Sequence, residues 1–263
     1  MNSKKNSLLW QLEAPQNTAP SFLFGTMHLR NISSFPAWER ACAALESCDL
    51  YAAEIDLDAE MGLHVRTPPA QPENYSLRET MGNLRYERMR GIWHRALKLD
   101  LNSLNHLPPS VLHTLFTGVV LGDQNQDMPD HKLWELAGHW GKERDGLEAI
   151  ESQMRLLQSI PSEYYLKSML QASSQLTRFR KKMQRLNYLY ETEQIQKLYQ
   201  VTRLDLGGMR GAMLFSRNRI MAHRIELLSD QKPLLAAVGA AHLGGDKGLL
   251  TLLKRRGFKV KPA

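Results

Sequence analysis

Two apolar runs near opposite ends of the chain finish in the same way, and this pairing constrains the fold more than any other feature. In SFLFGTMHLR, residues 21–30, Ser21 to Phe24 is a short aromatic-rich run that reads as a strand. Gly25 and Thr26 break it, and His28 follows. In PLLAAVGAAHLGG the apolar stretch from Leu234 to Val238 breaks at Gly239 and presents His242. Both segments have the form Gly-x-x-His. A buried strand that delivers a histidine at its far end is how an α/β protein places a chemical group at the rim of its sheet. A third run, DLYAAEIDLD, carries Glu54 where a strand should be ending. Two imidazoles and a carboxylate at three strand ends make a candidate metal or acid–base site.

The order of elements predicts how these ends meet. SLLWQLEA and SFLFGTMH, joined by the polar PQNTAP, read as a hairpin or neighbouring pair. FPAWERACAALESC reads as a helix with Pro36 in its first turn, and DLYAAEIDL returns as a strand. This strand–helix–strand crossover sets its two strands parallel, so His28 and Glu54 are expected to share one rim. The chain closes on another such unit: PLLAAVGA, GGDKGLLTLLKRRG, FKVKP. From about residue 60 to 230 the pattern is mostly helical. Ser76 and Glu79 form a capping box opening LRETMGNLRYERMRGIWHRAL. LPPSVLHTLFTGVVL and MPDHKLWELAGHWG read as helices, and DGLEA as a short strand before a helix from about Glu151. PSEYYLKSMLQASSQLTRFRKKMQRLNYLYETEQIQKLYQVTRL reads as one or two long helices, and RGAMLFSRNRIMAHRIELL as another. The expectation is an α/β fold: a mixed sheet built from both chain ends, with helices around it. Residues 1–263 form one domain, and a helical insertion over about 60–230 caps it.

At 263 residues the chain can bury a sizeable core, and 43% hydrophobic and 23% charged residues are ordinary for a soluble protein. The net charge of +7 gives weak support to an anionic partner; a basic surface kept for solubility explains it as well. Cys42 and Cys48, six apart on one predicted helix, point to different sides, so no disulfide is expected and a reduced compartment fits. Lys4 and Lys5 precede no long apolar run, and the longest apolar stretches fall short of the roughly 20 residues of a membrane span. As it stands the chain reads as cytoplasmic, or exported if a signal was removed, with no membrane span. RFRKKMQR reads as a solvated helix face. No Walker loop, dinucleotide motif or nucleophile elbow is present, and no nucleic acid is expected as a partner. The sequence leaves the oligomeric state open.

Glu54 interrupts an otherwise apolar strand, and a buried carboxylate is costly unless paired or bound to a cation. A strand-end salt bridge and a ligand or general base are both consistent with it. Two histidines and a carboxylate are a common ligand set for a catalytic divalent metal. Asp56 would face the same side if the strand continued, as a second ligand or a group behind the first. In RNRIMAH, Arg217 and Asn218 lie among Met213, Leu214, Ile220 and Met221, spaced for a helix on the core. Arg217 there can clamp a carboxylate or polarise a carbonyl, or lie over the surface. Glu148, ending the possible strand in GLEAIESQ, is a second candidate carboxylate for substrate binding, or a helix-start Glu.

These segments resemble the TraB/GumN/PrgY family, which includes the Tiki proteins. The resemblance rests on SLLWQLEAP leading to SFLFGTMHL, then YAAEIDL, GLEAIESQ, SRNRIMAHRI and AAVGAAHLGGDKGLLTLLKRRGFKV, in family order; residues 60–130 match poorly. It implies a fold similar to erythromycin-esterase-like and ChaN-like proteins. It also implies a metal-dependent hydrolase of the Tiki type, with His28, His242 and Glu54 required and Arg217 and Asn218 supporting. The cofactor implied is a divalent metal, Zn, Mn or Co, and the partner is a peptide or small-molecule substrate. A variant without metal uses a histidine as general base with Glu54 orienting it. The rival reading is a protein that captures a peptide or small ligand in the same cleft without turnover.

Overall fold

The fold is that of a computed structural model, which describes residues 6–15, 19–27, 35–59, 75–121 and 128–263. His28 lies outside the described residues. The chain divides into two compact units, one of residues 1–62, 126–156 and 186–263, the other of residues 63–125 and 157–185. Residues 126–156 and 186–230, read from the sequence as part of the helical insertion, group with the sheet.

The first unit holds a six-stranded sheet of β1 (Leu9–Glu13), β2 (Ser21–Thr26), β3 (Leu50–Ala53), β4 (Glu143–Gly146), β5 (Leu234–Gly239) and β6 (Lys259–Pro262). The strand order is β4-β3-β5-β2-β1-β6. β1 and β2 form the expected antiparallel pair, Leu9 opposite Phe24 and Leu12 opposite Ser21. β2, β5, β3 and β4 run parallel. β2 and β3 are parallel as predicted, with β5 between them. β6 closes the other edge, antiparallel to β1. The sheet is therefore mixed and drawn from both ends of the chain. All of β3 and all of β5 but Gly239 are buried, as near-continuous apolar runs in a parallel sheet must be.

The helices of this unit include α1 (Pro36–Glu46), α5 (Pro129–His139), α9 (Ile195–Leu206), α10 (Arg217–Ser229) and α11 (Leu249–Arg255). α1 starts at Pro36, whose missing N–H is no loss in a first turn. Leu23, Phe24, Leu45, Tyr51, Leu235, Val238 and Ile225 are core residues with no more than 1% exposure. β4 is two residues earlier than the strand read at DGLEA, and α6 (Ile150–Ser159) starts one residue before Glu151.

The second unit is helical. Its elements are α2 (Leu77–Met81), α3 (Asn83–Leu97), α4 (Pro109–Leu121), α7 (Ser162–Ser174) and the first part of α8 (Leu176–Glu191). Ser76 Oγ accepts from the Glu79 N–H, as the capping box predicts. One helix was expected from Leu77 to Leu97, but Gly82 at φ +83° breaks it into α2 and α3. Trp93, Phe116 and Met169 are the centre of this unit's own core. The long helical stretch after Pro161 is three helices, α7, α8 and α9. Among the described residues no helix is long and apolar enough to cross a membrane.

Candidate active site

The parallel strands fix where the site lies. β2, β3, β4 and β5 all run the same way, so the chain leaves each of them at one edge of the sheet. Glu54 follows β3 directly. Glu148 follows β4, and its N–H donates to the Glu54 carbonyl at 2.9 Å, continuing the ladder one step past the strands. Backbone pairing thus sets the two glutamates side by side. His242 closes the 3-10 turn Ala240–His242 that follows β5. Asn218 lies on the face of α10 that buries Met221, Ala222 and Ile225, one turn nearer the N-terminus. A π-helical turn, Gly211–Ser216, leads into α10 immediately before Arg217. Such turns re-aim the residues around them.

Of the seven residues that the sequence points to, Glu54, Glu148, Arg217, Asn218 and His242 come together. Arg217 Nη2 donates to Glu54 Oε2 at 2.6 Å, and Arg217 Nε donates to Glu148 Oε2 at 2.7 Å. The three side chains are largely buried, with 11% of Arg217, 20% of Glu54 and 5% of Glu148 exposed. The other Glu54 oxygen, Oε1, accepts the Gly239 N–H at 2.7 Å. It also faces His242 Nε2 at 3.7 Å. On the far side of the ring, His242 Nδ1 lies 2.5 Å from Asn218 Oδ1. Asn218 Nδ2 donates to the Lys247 carbonyl at 2.7 Å, so its oxygen must face the histidine. That fixes the tautomer: Nδ1 carries the proton and donates to Asn218, and Nε2 presents a lone pair to Glu54.

Burial pushes the His242 imidazole down to about 4, and Arg217 adds to this while Glu54 opposes it. Burial alone would raise the Glu54 carboxyl, but His242, Arg217 and the Gly239 N–H outweigh it and hold the carboxyl at about 2. Near neutral pH the site therefore sets a carboxylate oxygen opposite an unprotonated imidazole nitrogen. Glu148 is raised, chiefly by burial and also by the charge of Glu54, against the pull of Arg217. One arginine thus serves two carboxyls whose environments push them apart.

Two of these donors stand near the spacing that a bound cation requires. With bonds of about 2.1 Å, two donors of one tetrahedral ion lie about 3.4 Å apart, close to the gap between Glu54 Oε1 and His242 Nε2. With both carboxyls ionised, Glu54, Glu148 and Arg217 carry one net negative charge beside a neutral imidazole. Among the described residues no three His, Cys, Asp or Glu side chains form a metal site.

Two glycines shape this edge. A Cβ on Gly239 would lie 3.3 Å from Glu54 Oε1 and 3.6 Å from the His242 ring. A Cβ on Gly25 would lie 2.7 Å from Leu243 Cδ1 and 3.2 Å from the Ala240 Cα and Cβ. Gly25→Ala is accordingly expected to cost about 1–3 kcal/mol by overpacking, measured as a lower urea midpoint at unchanged slope. Tyr190 Oη donates to the Gly25 carbonyl at 2.9 Å and ties down the same strand end. Nothing in the tyrosine's sequence neighbourhood signals this, nor the part played by the Lys247 carbonyl.

Asp56 does not join the cluster. β3 ends at Ala53, and Asp56 Oδ1 accepts the N–H groups of Asp58 and Ala59, capping the turn that follows. Its side chain meets the usual need of a helical start rather than the site.

For protein held free of metal, these values set an acid limb. Folded His242 titrates at about 4, against 6.5 in the unfolded chain, so the unfolded chain takes the proton first as pH falls. Its stabilising contribution, about 3 kcal/mol, is complete above 6.5 and lost as pH falls to about 4. The Glu54 contribution is complete above 4.5 and lost as pH falls to about 2. Glu148, with its pKa raised, works in the opposite sense and costs stability above its ordinary value. Urea unfolding of chelator-treated protein is expected to show stability falling between about pH 6.5 and 4, and His242→Gln should flatten that fall. An unchanged slope in the variant would contradict the assignment.

The family model of TraB/PrgY/gumN matches residues 8–262, nearly the whole chain. No curated protein and no solved structure matches.

Proposed function

Given that the chain belongs to the TraB/PrgY/gumN family, we propose that it is a metal-dependent hydrolase that activates water for attack on an amide or ester bond. The observation that carries this reading is the 3.7 Å gap between ionised Glu54 Oε1 and the unprotonated Nε2 of His242. A carboxylate and an imidazole lone pair facing each other have no proton between them to share. They gain from a cation, or from a water that donates to both.

Glu54 and His242, with His28, would hold a divalent ion such as Zn, Mn or Co. Bound there, it would make hydroxide available near neutral pH and polarise the scissile carbonyl. Asn218 holds the His242 ring so that Nε2 faces the gap. Arg217 keeps Glu54 ionised and oriented. Its Nε and Nη2 are engaged by the two carboxylates, and in this reading it positions Glu54. Glu148 sits on the other side of Arg217 as a positioning carboxylate, and its substrate-binding role is replaced in this reading.

The test uses protein purified without an affinity tag, stripped by chelator and reconstituted with one metal at a time. Turnover of a panel of fluorogenic peptides and p-nitrophenyl esters should return with one or more metals. A protein that captures ligand without turnover would bind members of the panel and release no product with any metal.

Asn218→Ala is expected to lower metal affinity and turnover about 10- to 100-fold, the usual cost of losing the partner of a ligating histidine. The variant also strands His242 Nδ1 and the Lys247 carbonyl. Titration of stripped protein with a fluorescent metal competitor reads the affinity, and wild-type affinity in the variant would contradict the role.

A further inference from the structure

The net charge of +7 is not spread over the molecule. Residues 63–125 and 157–185, the helical unit, contain 13 Lys and Arg against 6 Asp and Glu, whereas the rest of the chain contains 21 of each. The sheet-bearing unit is neutral and the helical unit carries the whole excess. From Tyr164 to Tyr190 there is no acidic residue, and Lys167, Arg178, Arg180, Lys181, Lys182 and Arg185 fall within that run.

The exposed side of α8 is where this charge gathers. Its apolar residues Leu176 and Phe179 pack on the unit's own core. Arg178, Lys181 and Arg185 are exposed, and their i, i+3, i+7 spacing puts them on one face of the helix. Arg178 spends a donor on the uncharged Gln175 Oε1 at 3.2 Å. The ion pairs described within this unit join Glu87 to Arg78 and to Arg90 and neutralise none of the three. α3 carries a similar stripe. Leu84, 88% exposed, shares a face with exposed Arg88 and Arg95. Arg180 Nη2 donates to the Ala96 carbonyl, joining α8 to the end of α3 beside Arg95 and Lys98.

We infer that this face of the helical unit docks on an anionic phospholipid bilayer. The inference is independent of the hydrolase reading. Charge complementarity supplies the attraction, since each basic side chain near an anionic headgroup layer strengthens binding about fivefold at low salt. Among the described residues of this unit the exposed large hydrophobic residues are the aliphatic Leu84 and Leu157, and Tyr188 is exposed further along α8. An aliphatic side chain beside arginines suits the headgroup boundary. Single-stranded nucleic acid is held by successive bases stacking on several aromatic side chains, and α8 exposes a single large aromatic, Tyr188.

The test is co-sedimentation of the full chain with phosphatidylcholine vesicles, with and without phosphatidylglycerol. Binding is expected only with phosphatidylglycerol and is released by added salt, as screening requires. Arg178→Glu/Lys181→Glu/Arg185→Glu should weaken it about 100-fold or more, and the corresponding glutamine variant by less. Lys254→Glu/Arg255→Glu/Lys259→Glu, an equal charge change on exposed residues of the other unit, should leave it nearly intact. Circular dichroism melting checks that each variant is folded. No sedimentation with phosphatidylglycerol, equal losses in both charge reversals, or tighter binding to an oligonucleotide than to the vesicles would overturn the inference.

Discussion

Arg217→Met is expected to destabilise the protein by about 3–5 kcal/mol, the usual cost of removing one partner from a buried ion pair. For a chain of this length that is roughly 10 °C in melting temperature. The effect is large because the arginine serves two carboxylates at once, at 2.6 Å and 2.7 Å, and is itself 11% exposed. Without it Glu54 and Glu148 face each other with no countercharge, in a place water barely reaches. Glu148, already raised, is the group that takes up a proton to relieve this. Two consequences follow from that. The loss should shrink as pH is lowered from about 7 to 5, and Glu148→Gln in the Arg217→Met background should recover part of it. Equilibrium urea unfolding reads both. A loss below about 1 kcal/mol would mean that the cluster is hydrated and weakly coupled, as a surface pair is.

Glu54→Gln is expected to separate stability from activity. The glutamine can still accept the Gly239 N–H, and Arg217 keeps Glu148 as its partner. The destabilisation should therefore be much smaller than that of Arg217→Met. Turnover should nevertheless fall by roughly 100- to 10,000-fold, the range associated with losing a group that manages protons in the transition state. The variant loses the negative charge beside His242 Nε2, and with it the charge that draws a cation or a polarised water into the gap. Comparing the urea midpoint with kcat separates the two effects. A variant that is fully active, or inactive only because it is unfolded, would argue for a purely structural Glu54.

The parts of this site that could be read from sequence are those whose signal is local. An apolar run ending at glycine marks the strand end before His242, and Glu54 is the charged residue that ends the apolar run of its own strand. Arg217 and Asn218 stood out as polar residues at helical spacing among apolar ones. The meeting of Glu54 with Glu148 was not legible, because it depends on a backbone bond between segments 94 positions apart in sequence. β4 carries no apolar alternation to announce it. It is a polar edge strand, with Glu143 and Asp145 paired to Lys232 and Arg224. Asp56 was misplaced because a strand assumed to continue stops at Ala53, and a one-residue change in where a strand ends redirects every side chain after it. One or two helices are expected after Pro161 where three form, and the break between α8 and α9 has no local mark. Glu193 adopts φ +54° there with no glycine or proline to mark it, held by the bonds of its side chain to the Leu8 N–H and Ser7 hydroxyl. At Glu148 and Glu193 a distant contact sets the local geometry, whereas at Asp56 a local cap does.

Metal analysis of protein purified without an affinity tag, run on wild type beside His242→Ala and Glu54→Gln, tests the facing carboxylate and imidazole most directly. Stoichiometric divalent metal in the wild type, lost from both folded variants together with turnover, is the predicted result. The same metal content in all three proteins, or turnover that survives in the variants, would contradict it.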